Sequence, residues 1–499
     1  MKKILILLLM LALLCGCTQT PPAATTTAIS SNCAHTDADD NGSCDLCTGS
    51  VLVTLDFYAI NDLHGKLADG QSHIGVDELT AFLKAKQQSE NTVFLSSGDM
   101  WQGSSESNLT QGLIITEWMN ELDFASMTLG NHEYDWGEEA IELNAAAAEF
   151  PFLAINIYDR ATDTRVDYCD ASVVVEVAGI QVGIIGAMGD CYSSIASDKV
   201  EDVYFITGRQ LTELVKEESK RLRAEEGVDF VVYSIHDGSS SGSSYLSASK
   251  LAGYYDISLS DGYVDLVFEG HTHQKYLAPD ERGVYHLQHR GDNTGGISHA
   301  EISINSVTGS YRVTDTTLIT TSVYDSMADD PIVAQLLEKY KDQISIADRV
   351  LGQNNAYRSS DYLCELVAQL YYELGQNAWG DQYTVTLGGG FLSARSPYDL
   401  DKGQVTYGQL QSIFPFDNDI VLCSVKGSDL LSKFINSGNS RYHIYGQWDQ
   451  IDRDATYYIV VDTYTATYAP NRLTIVETYT PGIYARDLLA DHVAAGGLT

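Results

Sequence analysis

The sequence FASMTLGNHEYDWG, residues 124–137, joins a short apolar run to a cluster of polar side chains. The run has the length and composition of a buried strand, and the polar residues begin where that strand would end. A turn alone would explain the asparagine, aspartate and glycine, since these residues are common in turns. A functional site would instead need partners elsewhere in the chain. The two interpretations differ in whether other strands end in the same way.

Strand-like and helix-like segments alternate from Val51 onward. The predicted strands are VTLDFYAI (53–60), TVFLSS (92–97), FASMTL (124–129), PFLAIN (151–156), VVVEVAGIQVGIIGAM (173–188), DFVVYSI (229–235) and VDLVFEG (264–270). The predicted helices cover residues 76–88, 112–122, 138–150 and 208–226. Such alternation predicts an α/β fold with a largely buried sheet.

Several predicted strands are followed at once by residues that can bind metal ions. These residues are Asp62, His64, Asp99, Asn131, His236, His271 and His273. Ligands of α/β sheets bind beyond the carboxyl ends of the strands, so we expect these side chains to form one site. Carboxylate, imidazole and amide ligands suit two divalent metals about 3.5–4 Å apart, a pair that promotes displacement at phosphate.

In order and spacing, these motifs resemble those of the calcineurin-like metallophosphatases, and most of all the bacterial 5′-nucleotidase/2′,3′-cyclic phosphodiesterase branch. The resemblance extends over nearly all of the chain from about Val51. It implies a four-layer αββα metallophosphatase domain followed by a smaller α/β (α+β) C-terminal domain that binds the substrate. It also implies two divalent metal ions, whose identity among Mn, Zn, Mg and Ca stays open.

The resemblance assigns a role to each residue of the motifs. One metal is bound by Asp62, His64 and His273, the other by Asn131, His236 and His271, and Asp99 bridges the two. With Asn131 among the catalytic residues, His132 resembles the histidine that donates to the phosphoryl oxygen, and Asp135 the carboxylate that orients it. Glu133 is interpreted as a structural residue.

The resemblance of the C-terminal part is weaker. Arg358 and Phe416 match substrate-contacting positions, the second as an aromatic that stacks on the base. The family loop Asn-Gly-Gly-Gly-Ile-Arg is replaced by residues 387–392, LGGGFL, so an amide and an arginine are absent; Arg395 is a candidate to replace the arginine. For the second aromatic, Tyr464 and Tyr468 are the candidates, and a plain strand tyrosine is the alternative for either.

The N-terminus predicts an exported lipoprotein. Two lysines precede an apolar run that is too short to span a bilayer, which is typical of a signal peptide. The run closes on LCGC, residues 14–17, which resembles a lipobox with Cys17 as the lipidated residue. We expect the signal peptide at 1–16, a tether at 17–50, the metallophosphatase domain at 51–325, a linker helix at 326–349 and the nucleotidase-type domain at 350–499.

The charge of the chain restricts its partners. The formal net charge is −38, and removal of Lys2 and Lys3 with the signal peptide makes it −40. Such a charge argues against nucleic acid polymers and anionic lipid surfaces as partners, because both would be repelled. A small anionic substrate remains compatible if the site supplies local positive charge.

The segment CAHTDADDNGSCDLC, residues 33–47, has no place in the family pattern. Cys33, His35, Cys44 and Cys47 are of the types that bind structural zinc. Asp37, Asp39 and Asn41 instead resemble the start of a calcium loop, but Thr48 stands where that loop needs an acidic ligand. A spacer without metal is the third interpretation.

Together these features predict an extracytoplasmic, membrane-anchored phosphohydrolase that acts on nucleotides by means of two metals. Nucleotide sugars and cyclic nucleotides fall within the predicted substrate class. The alternatives are a surface binding protein that uses the fold as a scaffold, and a hydrolase of non-nucleotide phosphate or sulfur esters on the same frame.

Overall fold

The computed structural model describes residues 34–47, 49–68, 75–238, 261–291, 296–392, 399–468 and 471–499. The predicted signal peptide, Cys17, Cys33 and Arg395 lie outside the described residues. The chain divides into two compact units. The smaller unit comprises Met1–Leu52 and Asn305–Ser310, and the larger comprises Val53–Ile304 and Tyr311–Thr499.

Strands and helices alternate along the described residues. The strands are β1 (Leu52–Ile60), β2 (Thr92–Ser96), β3 (Ser126–Thr128), β4 (Phe152–Leu153), β5 (Ile157–Asp159), β6 (Ser172–Val177), β7 (Ile180–Met188), β8 (Val203–Phe205), β9 (Phe230–His236), β10 (Leu266–Glu269), β11 (Tyr276–Pro279), β12 (Tyr285–Gln288), β13 (Ile297–Asn305), β14 (Tyr311–Ile319), β15 (Val350–Asn354), β16 (Val385–Phe391), β17 (Gly403–Thr406), β18 (Ile420–Lys426), β19 (Tyr442–Gly446), β20 (Thr456–Asp462) and β21 (Thr474–Thr478). The α-helices are Asp77–Gln87, Ser105–Leu109, Leu113–Asn120, Glu138–Ala147, Gly208–Glu225, Pro331–Lys339, Lys341–Ile344, Ser360–Trp379, Tyr407–Ile413, Gly427–Asp429, Thr463–Thr467 and Ala485–Ala494.

Two six-stranded sheets form the N-terminal part of the fold. The first has the strand order β14-β13-β1-β2-β3-β4, and β1 to β4 run parallel. The second has the order β11-β12-β10-β9-β7-β6, with β12, β10, β9 and β7 parallel. Because neighbouring parallel strands point the same way, the carboxyl ends of β1, β2 and β3 meet at one edge, and those of β9 and β10 meet at one edge of the other sheet.

The two sheets pack face to face through an apolar layer. Phe57 and Leu95 of the first sheet lie in one buried cluster with Ile184, Phe230 and Val232 of the second. The rings of Phe57 and Phe230 stack with centroids 5.7 Å apart. Burial of these apolar side chains stabilises the interface between the two sheets, and the stacked aromatic pair adds to it.

The outer face of each sheet is covered by helices. Tyr58, the neighbour of Phe57 in β1, points to the opposite face and packs with Leu83 and Ile115 of two covering helices. On the other sheet, Val231 packs with Val215 of the helix Gly208–Glu225. The resulting order of helix, sheet, sheet and helix confirms the predicted α/β class, and burial on both faces explains why the strands are apolar without alternation.

The predicted strand at 173–188 is in fact a hairpin. β6 and β7 pair in antiparallel fashion from Val177 opposite Ile180. Between them, Ala178 and Gly179 have φ values of 52° and 81°, which is the backbone that a tight hairpin turn requires. Ala tolerates this conformation poorly, so the composition of the segment did not reveal the turn.

The C-terminal part contains a five-stranded sheet of order β19-β16-β20-β18-β21. The stretch LGGGFL, expected to be a loop, lies in β16 up to Phe391 and pairs with both β19 and β20. Its glycines allow the helix Ser360–Trp379 to approach the strand closely, since a Cβ on Gly388 would lie 2.2 Å from the backbone nitrogen of Tyr372. This glycine run therefore serves packing.

The segment before this sheet is helical, as its amphipathic pattern predicts. Asp330 accepts a hydrogen bond from the N–H of Ile332 and caps the helix Pro331–Lys339. Leu336 is buried, whereas Leu337 and Tyr340 are partly buried against the same core. Among the described helices, none combines the length and the apolar composition needed to cross a bilayer.

Candidate active site

The polar residues that follow the strands converge at the sheet edges. Those of the first sheet follow the carboxyl ends of its parallel strands; they are Asp62 and His64 after β1, Asp99 after β2 and Asn131 after β3. Those of the second sheet are His236 at the end of β9 and His271 and His273 after β10. The carboxylate and imidazole ligand atoms among them fall into groups in which all atoms lie within 4.8 Å of one another. The structure thus brings together residues as far apart in the sequence as Asp62 and His273.

The backbone turns sharply at these residues. Asp62, His64, Asp99, His271 and His273 have φ values of 52°, 53°, 55°, 68° and 51°. This left-handed region is uncommon for residues with a side chain, and residues held there cluster at functional sites. The turns redirect the chain at the strand ends, and they bring the side chains to a common point.

Close packing of the two sheet ends also depends on one glycine. A Cβ on Gly130 would lie 2.3 Å from Oδ1 of Asp99 and 2.9 Å from the ring of His236. The backbone that carries Asn131 can therefore approach Asp99 only because residue 130 has no side chain.

One group of ligand atoms contains Asp62, His64 and His273. Nε2 of His64 lies 3.2 Å from Nε2 of His273, and the latter lies 3.3 Å from Oδ1 of Asp62. Asp62 is fully buried and also accepts hydrogen bonds from the N–H of His271 at 3.0 and 3.1 Å. This carboxylate ties β1 to the loop after β10, and so joins the two sheets.

A second group surrounds His236 and Asp99. Nε2 of His236 lies 3.0 Å from Oδ2 of Asp99, and both side chains are buried. The rings of His236 and His271 meet edge to face with centroids 5.4 Å apart. Cys191, which the sequence analysis missed, has its sulfur in the same group and donates to the carbonyl of His236 at 2.9 Å. No motif in the sequence marks this cysteine.

Main-chain carbonyls fix the orientation of two of the imidazoles. Nδ1 of His64 lies 2.8 Å from the carbonyl of Gln102, and Nδ1 of His236 lies 2.7 Å from that of Ser97. A carbonyl only accepts, so Nδ1 carries the proton in each ring. The remaining nitrogen, Nε2, is then turned towards the carboxylates, as is typical of metal-binding histidines.

The charges of the site favour a cation. Burial raises the pKa of Asp99, but His236 and His132 outweigh burial and hold that pKa well below its usual range. Burial lowers the pKa of His236, but Asp99 and Asp62 outweigh it and raise it to about 10. A buried carboxylate and a buried imidazole nitrogen at 3.0 Å thus require positive charge between them.

The donor set fits divalent metal ions. Oδ1 of Asn131 is buried and, among the described residues, has no hydrogen-bond partner. A buried amide oxygen without a donor is costly, and a metal ion would satisfy it. Burial and the neighbouring His236 lower the pKa of His271 to about 4, so this ring is neutral and can act as a ligand.

His132 and Asp135 form a pair beside this cluster. Nδ1 of His132 donates to Oδ2 of Asp135 at 2.8 Å, and the backbone N–H of His132 donates to Oδ1 of Asp99 at 2.9 Å. The His132 ring meets that of His64 edge to face at 5.3 Å. The orientation of His132 is therefore fixed by two hydrogen bonds, one from its ring to Asp135 and one from its backbone to Asp99.

Of the predicted substrate-binding residues, Phe416 lies at this site. Its ring stacks on that of His132, with centroids 5.9 Å apart. Arg358 precedes the helix Ser360–Trp379, and its guanidinium lies over the ring of Tyr362. Tyr468 stacks on Tyr464 and on Phe391 in an aromatic cluster of the C-terminal sheet.

The sequence analysis missed the residue that holds Phe416 in place. Arg486 is buried in the helix Ala485–Ala494 and donates to the carbonyls of residues 414, 415 and 416 at 3.2 to 3.4 Å. It also forms an ion pair with Asp417. Most partners of Arg486 are main-chain atoms, which leave no pattern in a sequence.

Glu133 plays a role like that of Arg486, but for the segments that carry predicted metal ligands. Its fully buried carboxylate accepts hydrogen bonds from the backbone N–H groups of Asp99, Met100, Trp101 and Gly130, at 3.0, 2.8, 3.4 and 2.7 Å. These donors belong to the segments after β2 and β3. Glu133 therefore has the structural role expected for it: it joins the two loops that carry Asp99 and Asn131.

Comparison with known proteins agrees with this geometry. Residues 55–275 match the calcineurin-like phosphoesterase family. The chain is 28% identical over 420 residues to an apyrase of Tabanus yao, which covers 77% of this chain and 72% of the apyrase. It is 24% identical over 426 residues to the 5′-nucleotidase of Vibrio cholerae, covering 74% and 73% of the two chains. A 5′-nucleotidase precursor from Thermus thermophilus has the same fold, with a TM-score of 0.67 at 18% identity over 89% of this chain and 96% of that one.

The fold and the site define a metal-dependent phosphoester hydrolase. More specifically, residues 55–275 form a calcineurin-like phosphoesterase domain, a family whose members use divalent metals. This result confirms the enzyme class and the family that the strand-end motifs predicted.

Glu133→Gln should impair the site without removing any of the predicted ligands. The amide nitrogen of Gln cannot accept, so two of the four backbone N–H groups would lose their acceptor, at a cost of about 1–3 kcal/mol each. We expect kcat for p-nitrophenyl phosphate to fall by about 10–100-fold, with a lower midpoint of thermal unfolding. Glu139→Gln, at an exposed position of the next helix, is the control. Equal activity of the two variants would contradict the proposed role of Glu133.

Proposed function

We propose that the protein is an extracytoplasmic phosphohydrolase that uses two divalent metals to release phosphate from nucleotides. The observation that carries this proposal is the convergence of carboxylates, imidazoles and one amide oxygen beside the His132–Asp135 pair. Buried carboxylates that lie close together repel each other and destabilise a fold unless a cation is bound. A protein that served only as a scaffold would have no use for such carboxylates.

In this proposal the ligands form two sets. The first is Asp62, His64 and His273, and the second is Asn131, His236 and His271, with Asp99 shared between them. Two metals bound there would polarise the phosphate ester and provide a nucleophile at neutral pH. The carbonyls of Gln102 and Ser97 keep His64 and His236 in the tautomer that binding requires.

His132 would stabilise the charge that develops on the phosphoryl oxygens. Because its Nδ1 proton is held by Asp135, the ring can rotate little, and Nε2 remains the atom that donates to the substrate. Preorganised donors of this kind contribute mainly in the transition state.

Nucleotides are the substrate class that the relatives suggest, since similar proteins are named apyrase and 5′-nucleotidase. The stacking of Phe416 on His132 supports this class, because it places an aromatic ring beside the group that would contact phosphate. Arg358 and Tyr468 are the further candidates from the described residues. The LGGGFL strand lacks the amide and arginine of the family loop, so other residues must make the contacts to the nucleotide that this loop makes in the family.

His132→Ala and Asn131→Ala test the proposed chemistry. The purified protein would be assayed with manganese on AMP, UDP-glucose, 2′,3′-cyclic AMP and p-nitrophenyl phosphate. We expect phosphate release from AMP, and loss of about 10²–10³-fold in kcat for His132→Ala, since this variant removes a transition-state donor. For Asn131→Ala we expect weaker metal binding, of about 10–100-fold, and a corresponding loss of activity.

The outcome of that panel separates the alternatives. Cleavage of p-nitrophenyl phosphate without preference for nucleotides would retain the metal site and move the substrate to another class of phosphate ester. A folded wild-type protein that cleaves nothing with any metal would favour the scaffold. Undiminished activity in His132→Ala would refute the role assigned to His132.

Arg486→Lys tests whether the loop that carries Phe416 binds the nucleoside. Lys cannot reach the three carbonyls and Asp417 at once, so Phe416 would lose its fixed position. Stacking of a base on an aromatic ring contributes about 1–3 kcal/mol, so we expect KM for AMP to rise about tenfold or more. The kcat for p-nitrophenyl phosphate should stay near that of the wild type, and the exposed Arg453→Lys is the control. A parallel loss on both substrates would contradict a role in nucleoside binding.

Cys17→Ser tests the proposed location. The lipobox-like residues 14–17 predict that lipid is attached at Cys17, which would anchor the enzyme to a membrane outside the cytoplasm, at the cell surface or in the periplasm. Cells expressing the wild type should incorporate labelled palmitate into the protein and retain it in the membrane fraction. The variant should incorporate none, and labelling that persists in it would exclude Cys17 as the anchor.

A further inference from the structure

A second cluster of metal-binding side chains lies outside the catalytic residues, in the smaller unit. The ligand atoms of His35, Cys44 and Cys47 lie within 4.8 Å of one another. The Cys47 sulfur is 3.6 Å from Nδ1 of His35. Sulfur and nitrogen ligands of one tetrahedral zinc ion lie about 3.5 Å apart, given bond lengths of about 2.3 and 2.0 Å. The observed spacing therefore allows both atoms to bind one zinc ion.

The chain around Cys44 has the form of a metal-binding turn. Ser43 and Ser50 form an antiparallel bridge, and the N–H of Cys44 donates to the carbonyl of Gly49 at 2.8 Å. The two cysteines thus lie between the bridged residues Ser43 and Ser50, and their sulfurs lie within 4.8 Å of each other. His35 reaches them from the preceding segment, where Thr36 accepts a backbone hydrogen bond from Asp45 at 2.8 Å.

The environment of Cys44 stabilises a thiolate. The backbone N–H groups of Thr36, Leu46 and Cys47 hydrogen-bond to its sulfur, which is buried. The thiolate is the form of cysteine that binds metals.

The neighbouring carboxylates are occupied by structural hydrogen bonds. Asp37 accepts from the N–H groups of Asn41 and Gly42 at 3.0 and 2.8 Å, and from Nδ2 of Asn305 at 2.6 Å. Asp40 accepts from Thr308 at 2.8 Å, as well as from Asn305 at 2.9 Å. These acidic residues fasten the segment to the 305–310 turn of the same unit. This use of Asp37, the first residue of the calcium-like pattern, argues against calcium.

We propose that His35, Cys44 and Cys47 bind a structural zinc ion. Cys33, the fourth ligand that the sequence predicts, lies outside the described residues, and the proposal rests on the three that are described. In the described part of the smaller unit, the only buried apolar side chains are Cys44 and Val51. So small a core cannot order a segment by itself, and metal binding would supply the missing free energy.

Cobalt substitution of the full-length protein separates this site from the catalytic one. Cobalt bound by thiolate has an intense near-ultraviolet charge-transfer band, which carboxylate and imidazole ligands do not produce. We expect the band in the wild type and in Cys191→Ser, and its loss in Cys47→Ser. Cys47→Ser should also contain about one zinc ion fewer per chain. Asp39→Asn, which removes a ligand of the calcium hypothesis, should retain both the band and the zinc.

Several results would overturn the proposal. These are absence of the band in the wild type, its persistence in Cys47→Ser, its loss in Asp39→Asn, or a disulfide between Cys44 and Cys47 in the isolated protein. Activity on p-nitrophenyl phosphate should be retained in Cys47→Ser, because this residue is outside the catalytic cluster. A wild type that shows the band without any hydrolase activity would refute the proposed function and leave the zinc site standing.

Discussion

Two buried carboxylates, Asp62 and Asp99, are the constraint on which the rest of the site depends. Each lies within 3.3 Å of an imidazole nitrogen that comes from the other sheet. Charges this close and this well buried are tolerable only if a cation or a proton lies between them. The carboxyl ends of the strands in the two face-packed sheets must therefore lie side by side, and the chain must turn abruptly after each strand. At Asp62, Asp99 and His271 the backbone is left-handed, a strained conformation that these turns require.

The sequence predicted the residues at the strand ends because their side chains are of the types that bind metal ions. Asp62, His64, Asp99 and Asn131 each follow an apolar run, and the direction of parallel strands places them at one edge. The layer order followed from resemblance, since a run such as VTLDFYAI indicates only that a strand is buried on both faces. The Ala178–Gly179 turn was missed for a physical reason: the segment has the uniform apolar composition of one strand, and Ala is an unusual turn residue.

The C-terminal part was less predictable because its function depends on position more than on residue type. The glycines of LGGGFL match a family loop in composition, yet they lie in β16 and make room for a helix. Tyr464 and Tyr468 have the aromatic rings that base stacking needs, but they stack on each other and on Phe391. Phe416 alone among the aromatic candidates contacts a predicted catalytic residue in the described structure. The proposed chemistry thus depends on the types of residue at the site, whereas the proposed specificity depends on where the side chains lie.

Glu133 and Arg486 show why the remaining determinants escape sequence analysis. The buried carboxylate of Glu133 accepts hydrogen bonds from backbone N–H groups of the segments after β2 and β3. The buried guanidinium of Arg486 donates to backbone carbonyls of the loop that carries Phe416. Both are charged groups whose partners are largely main-chain atoms, so no second residue type accompanies them in the sequence. Hydrogen bonds to charged groups are strong, and in a buried setting their loss leaves several backbone groups unpaired at once. Such buried residues hydrogen-bond to the backbone of a loop. They can therefore fix the position of a predicted metal ligand or an aromatic ring while leaving the side of the loop that would face the substrate free.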